Sequence, residues 1–143
     1  MIHADKATYG EVKKIILNRE IYDRISDDNS PSREEFIIPF EHANFIGGYV
    51  DCKIASLFIV HGKKMHFMVL KEFREHANEL LQSSFMLWPR DVYVEIPTLY
   101  RSVINFAKKF GFKEICVKEN AHLKNGKLYD CHKLTYEVKH GIC

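Results

Sequence analysis

Between residues 44 and 70 three apolar runs follow one another with turns too short for a crossover. Residues 45–50 contain Gly47-Gly48, residues 54–60 are β-branched and aromatic, and residues 65–70 form the third run. β-Branched and aromatic side chains suit a pleated, half-buried surface, so all three read as strands. Asp51-Cys52-Lys53 and His61-Gly62-Lys63 are the turns. Strands joined this closely pair antiparallel, as a meander, and the rest of the chain must be arranged around it.

Downstream the period changes. Residues 71–88 read as a helix, with Phe73, Ala77, Leu80, Leu81 and Met86 or Leu87 on one side. Residues 91–96 read as a strand with Tyr93 and Glu95 opposite Val92, Val94 and Ile96. Pro97-Thr98 opens a further helix with Leu99, Val103, Ile104, Ala107 and Phe110 on its apolar stripe, stopped by Gly111. Residues 115–118 read as a strand, 119–127 as a polar stretch turning at Asn125-Gly126, and 129–138 as the last strand. Upstream, residues 2–4 read as a strand. Thr8 and Glu11 have capping-box spacing ahead of a helix over 9–25, and Ser32 with Glu35 caps a short helix stopped near Pro39.

The order is β-α-α-β-β-β-α-β-α-β-β. The strand–helix–strand–helix–strand centre requires right-handed crossovers, and the meander and terminal hairpin make the sheet mixed. The expected fold class is α/β: a mixed, mostly antiparallel central sheet with helices on both faces, in one domain over 1–143.

Composition narrows the functions. The 143 residues carry a net charge of +2 with acids and bases interleaved, so nucleic-acid binding is not expected. Short groups such as Lys13, Lys14 and Arg19, or Lys108, Lys109 and Lys113, read as solvated faces. No run reaches the roughly 18 apolar residues of a membrane span, and the first residues lack a signal-peptide layout. A cytoplasmic protein away from membranes is the expectation. Four cysteines without a CxxC pair read as free thiols. A zinc site of Cys116, His122, Cys131 and His132 is disfavoured, because adjacent residues of a strand point to opposite faces. No metal is expected.

This order of elements, with three local stretches, resembles the GNAT superfamily (Gcn5-related N-acetyltransferases). Tyr49-Val50-Asp51-Cys52-Lys53-Ile54-Ala55 is similar to the family's hairpin, with Cys52 where glycine is common. Val69-Leu70-Lys71-Glu72-Phe73-Arg74 is similar to the end of its fourth strand. Ala107-Lys108-Lys109-Phe110-Gly111-Phe112 is similar to the helix that ends in Gly-Phe.

The resemblance implies an acetyl-CoA-dependent N-acetyltransferase acting on a small-molecule or protein amine. It also implies a cofactor pyrophosphate held on a basic-x-x-Gly-x-Gly/Ala loop at a helix start. Free N–H groups and the positive helix end hold an anion there, and glycine admits the backbone closely. The matching residues are Arg74, Glu75, His76, Ala77, Asn78 and Glu79, so Ala77 and Glu79 stand at the glycine positions. The thioester is expected between Met68-Val69 and Tyr93-Val94, with β-strand N–H groups near 67–70 at the oxyanion. The family's acid is a tyrosine four residues before Gly-Phe. That position is Ala107 here, Tyr100 is nearly two turns earlier, and Tyr93 on the neighbouring strand is the substitute. His66, on the strand beside the thioester, and Glu95 are the base candidates, with His61 near the strand entrance. The missing glycines and hydroxyl leave a second reading open: an inactive GNAT-fold scaffold, of a virus or bacteriophage, that assembles with itself as a homodimer or with a larger particle.

Overall fold

The computed structural model describes residues 1–30, 32, 35 and 44–138. Its strands are β1 (Ile2–Lys6), β2 (Asn44–Val50), β3 (Lys53–His61), β4 (Lys64–Val69), β5 (Val92–Pro97), β6 (Lys113–Lys124) and β7 (Lys127–Tyr136). They form one sheet in the order β1-β2-β3-β4-β5-β7-β6. Only the β4–β5 neighbours are parallel. The helices among the described residues are α1 (Tyr9–Ile16), α2 (Arg19–Ile25), α3 (Ala77–Leu87) and α4 (Arg101–Phe110), with 3-10 turns at Lys71–His76 and Thr98–Tyr100. The expected fold class is the one observed.

Alternation along β3, shifted by one residue at a bulge between Ile54 and Ser56, divides the core between two layers. Ile54, Leu57 and Ile59 pack with Val12, Ile15, Ile16 and Ile21 of α1 and α2. Phe58 and Val60 face the other way, into a cluster with Leu81 and Phe85 of α3 and Ile104 and Ala107 of α4. Fully burying an aliphatic side chain such as Ile15 or Ile16 contributes about 1.5–3 kcal/mol. Gly48 lets α3 lie down on the sheet. A Cβ there would sit 2.1 Å from Ser56 Oγ and 2.9 Å from a Leu80 methyl.

The capping box forms as expected. The Glu11 N–H donates to Thr8 Oγ1 at 3.2 Å and the Thr8 N–H donates to Glu11 Oε1 at 2.9 Å. The Tyr49 hydroxyl donates to the same carboxylate at 2.9 Å, which ties α1 to β2. Burial pushes the Tyr49 pKa up, and the Glu11 charge pushes it further.

Several boundaries differ from expectation. The helix over 9–25 is two helices, because the Asn18 side chain accepts the Ile21 N–H at 3.2 Å and starts α2 afresh. A side chain that can satisfy a backbone donor itself favours such a break. The helix expected over 71–88 opens as a 3-10 turn before α3. β6 does not stop at Lys118 but continues to Lys124, its polar stretch accommodated by bulges after Glu114 and Lys118. An edge strand tolerates such a run because one side already faces water. The short helix after Ser32 lies outside the described residues, apart from a bond from the Glu35 N–H to Ser32 Oγ at 3.4 Å.

Candidate active site

The sheet is split between its two parallel strands. β4 and β5 meet only at Lys64 and Tyr93, where the Tyr93 N–H donates to the Lys63 carbonyl at 2.8 Å. Beyond that point they diverge. The Leu70 N–H donates to Ala55 of β3 at 2.9 Å, while the Lys63 carbonyl faces β5. Backbone polar groups alternate sides along a strand, so the N–H groups of Phe67 and Val69 face the gap. Across it, Pro97 closes β5 without an N–H of its own. The gap opens into a cavity of about 660 Å³.

One mouth of this cavity is formed by Val69, Arg74 and Ala77, backed by Leu81, Phe106 and Ala107. No residue from Leu70 to Glu79 has positive φ; Ala77 itself lies at φ −55°. The Ala77 N–H donates to the Arg74 carbonyl, and α3 has no side-chain cap. A helix start is where early N–H groups can lack intrahelical acceptors; at α3 these positions are Asn78 and Glu79, although the 3-10 turn runs directly into the helix there. The Arg74 guanidinium is paired with Glu20 of α2. The Glu79 and Asn78 side chains are exposed, and Glu75 lies 3.5 Å from His76 Nε2.

The opposite wall carries the titratable groups. Glu95 accepts from Lys118 Nζ at 2.9 Å and lies 3.4 Å from Lys64 Nζ. Burial pushes its pKa up, but the Lys118 hydrogen bond and the Lys64 charge outweigh this and hold it below the usual range. His66 is largely desolvated, and burial with the Lys64 charge brings its pKa down to about 4. Its imidazole is therefore neutral at physiological pH. The Tyr100 hydroxyl donates to the Asp23 carbonyl at 3.3 Å, and burial raises its pKa. Cys131, a free thiol with a pKa raised by burial, completes the wall beside Glu95.

This wall is held by the β6–β7 hairpin. Lys124 Nζ donates to the carbonyls of Asp23 and Ser26, the latter at 2.9 Å, where α2 ends. The Asp28 carboxylate accepts the N–H groups of Asn125 and Gly126, each at 2.8 Å, which lowers its pKa.

Of the residues singled out by sequence, His66, Met68, Val69, Arg74, Ala77 and Glu95 line the cavity. Tyr93, Glu75, His76, Asn78 and Glu79 are not on its lining. Tyr93 instead packs under Lys133, with Nζ 4.3 Å from the ring centre. His61 is exposed at the end of β3. Sequence reasoning missed Lys64, Lys118 and Arg24, and weighed Cys131 only as a metal ligand. The α2 and β6 segments meet only in three dimensions, so no local spacing announces them.

No protein-family model matches this sequence, and no curated protein matches it either. Solved structures do. A spermidine N-acetyltransferase from Vibrio cholerae, in complex with CoA and spermine, superposes with a TM-score of 0.72 at 16% identity, over 96% of this chain and 95% of that one. An N-acetyltransferase from Staphylococcus aureus gives 0.70 at 15% identity, over 96% and 97%. A ribosomal-protein-alanine N-acetyltransferase from Brucella melitensis gives 0.69 at 12%, over 94% and 99%. The fold is that of the GNAT superfamily. In this GNAT fold the parted parallel strands are the central feature, and the glycine-free turn before α3 is the departure. Among the described residues no helix is long and apolar enough to cross a membrane.

Proposed function

We propose that this chain is a divergent GNAT-type N-acetyltransferase that moves the acetyl group of acetyl-CoA to an amine in the cytoplasm. The observation that carries the reading is the gap between β4 and β5. Two backbone N–H groups face a cavity of about 660 Å³ there, and the start of α3 stands at its mouth. The residues present fit the cofactor in reduced form. Arg74 and the N–H groups of Asn78 and Glu79 would hold the pyrophosphate, with Met68 and Val69 along the thioester arm; Ala77 would lie beside the anion, and Glu75 and His76 at its edge, off the cavity lining. Arg74 must exchange Glu20 for phosphate, so weak affinity is expected.

When bound, acetyl-CoA supplies a thioester whose acyl carbon is open to attack by an amine, with release of the CoA thiol. The N–H groups of Phe67 and Val69 would stabilise the negative oxygen that develops on that carbon. His66, neutral and on the cavity lining, would accept the amine proton. Lys64 and Lys118 favour the uncharged form of a nearby amine, and Glu95 holds both of them in place rather than serving as a strong base. Tyr100, which stays protonated and lines the cavity, would be the donor for the leaving thiolate; Tyr93 lies off the lining.

The test is release of CoA thiol from acetyl-CoA with a panel of amines, with the acetylated product identified by mass. Turnover on the order of 1 s⁻¹ with one amine class is expected, reduced at least about a hundredfold in His66→Gln. Thiol release no faster than without protein, at millimolar acetyl-CoA, sinks the reading. The inactive-scaffold reading, which the Arg74–Glu20 ion pair favours, would then take its place.

A further inference from the structure

Among the described residues, the acceptor wall has more cation than it uses. Its charged groups are Arg24, Lys64 and Lys118 against Asp27 and Glu95. Glu95 is shared by both lysines. Asp27 is turned into its own loop, where Oδ1 accepts the Asn29 N–H at 2.9 Å and the Ser30 hydroxyl at 3.2 Å. Arg24, exposed in the last turn of α2, has no ion pair among the described residues. Arg24 lines the cavity beside Tyr100, and its charge opposes the rise that burial gives that hydroxyl's pKa. His122 lines the same wall, and its Nε2 is buried without a hydrogen-bond partner. Ile21, Ile25 and Met68 give this part of the cavity an apolar floor.

We propose that the acceptor amine carries an anionic group, most simply a carboxylate, received by Arg24 with Lys118 across the cavity. A guanidinium offers a planar fork of donors that matches a carboxylate, and such charge-assisted bonds are stronger than neutral ones. A polycationic amine meets the opposite situation: one carboxylate already neutralised by two lysines, the other closed into a turn. The acceptor class is therefore an amino acid, or a small molecule of like charge, rather than a polyamine. This rests on the acetyl-transfer reading, but it is tested by binding alone.

The probes are N-acetyl-leucine, N-acetyl-leucinamide and N1-acetylspermidine, titrated into the full chain without CoA and followed by ligand-observed NMR. N-acetyl-leucine is expected to bind at least about tenfold more tightly than the amide, and Arg24→Ala to remove that preference while leaving acetyl-CoA affinity within about twofold. Equal binding of acid and amide, tighter binding of the spermidine compound, or no binding of any probe overturns the proposal. So does an Arg24→Ala variant that loses acetyl-CoA and keeps the preference, since the guanidinium would then serve the cofactor. Failure of the acetyl-transfer reading shows separately, as absence of acetyl-CoA binding in the unaltered chain.

Discussion

Two turns in this chain lack a glycine that GNAT-like sequences favour, and they solve the problem in opposite ways. The β2–β3 hairpin keeps the glycine backbone without the glycine: Asp51 and Cys52 have φ of 48° and 68°. The turn before α3 abandons that backbone and winds as a 3-10 helix with negative φ. A hairpin of two residues has little choice, because positive φ at both positions matches the twist of its strands. A strand-to-helix turn can tighten instead, and its N–H groups then serve its own carbonyls. Strain is stored at the first turn. At the second the loss falls on the donors offered to an anion.

The comparison can be sharpened by a glycine that is present for neither reason. Gly48 has no positive φ but has no room for a side chain. Gly48→Ala is expected to destabilise the fold by about 2 kcal/mol in urea unfolding, since Ser56 and Leu80 must both move. Cys52→Gly relieves the left-handed strain and should stabilise by about 1 kcal/mol, read as a higher midpoint with an unchanged m-value. No change there would mean that the hairpin is not strained. Glu20→Gln releases Arg74 and should tighten acetyl-CoA about fivefold, worth about 1 kcal/mol by calorimetry. The smallest effect is expected from Ala77→Gly. The residue already has helical φ, so the variant should lose at most about 1 kcal/mol of stability and gain no acetyl-CoA affinity. A large gain in affinity would show that bulk at 77, and not the winding of the turn, limits the site.

The fold was legible because its signals are local. The meander at 44–70, the capping box at Thr8 and the Gly111 stop each declare an element without reference to anything distant. Element ends were less legible where a single polar side chain decides them, as at Asn18, or where an edge strand admits a polar run, as from Lys118 to Lys124. The side of the cavity next to α3 was legible in part, because Val69, Arg74 and Ala77 lie on one stretch of chain. The opposite wall was not. Glu95 and His66 could be named, but their companions Lys64 and Lys118, and Arg24 on α2, meet only through the order of strands in the sheet. Tyr100 was set aside on helical spacing counted from Gly-Phe. The 3-10 turn at Thr98–Tyr100 instead carries its hydroxyl over to α2.

Calorimetric titration of the purified chain with acetyl-CoA tests the central claim most directly. The parted strands and the donors left at the start of α3 predict one site per chain with a Kd on the order of 100 µM, in the upper part of the common range for enzyme substrates. Absence of binding at millimolar acetyl-CoA, in both the unaltered chain and Glu20→Gln, would contradict it.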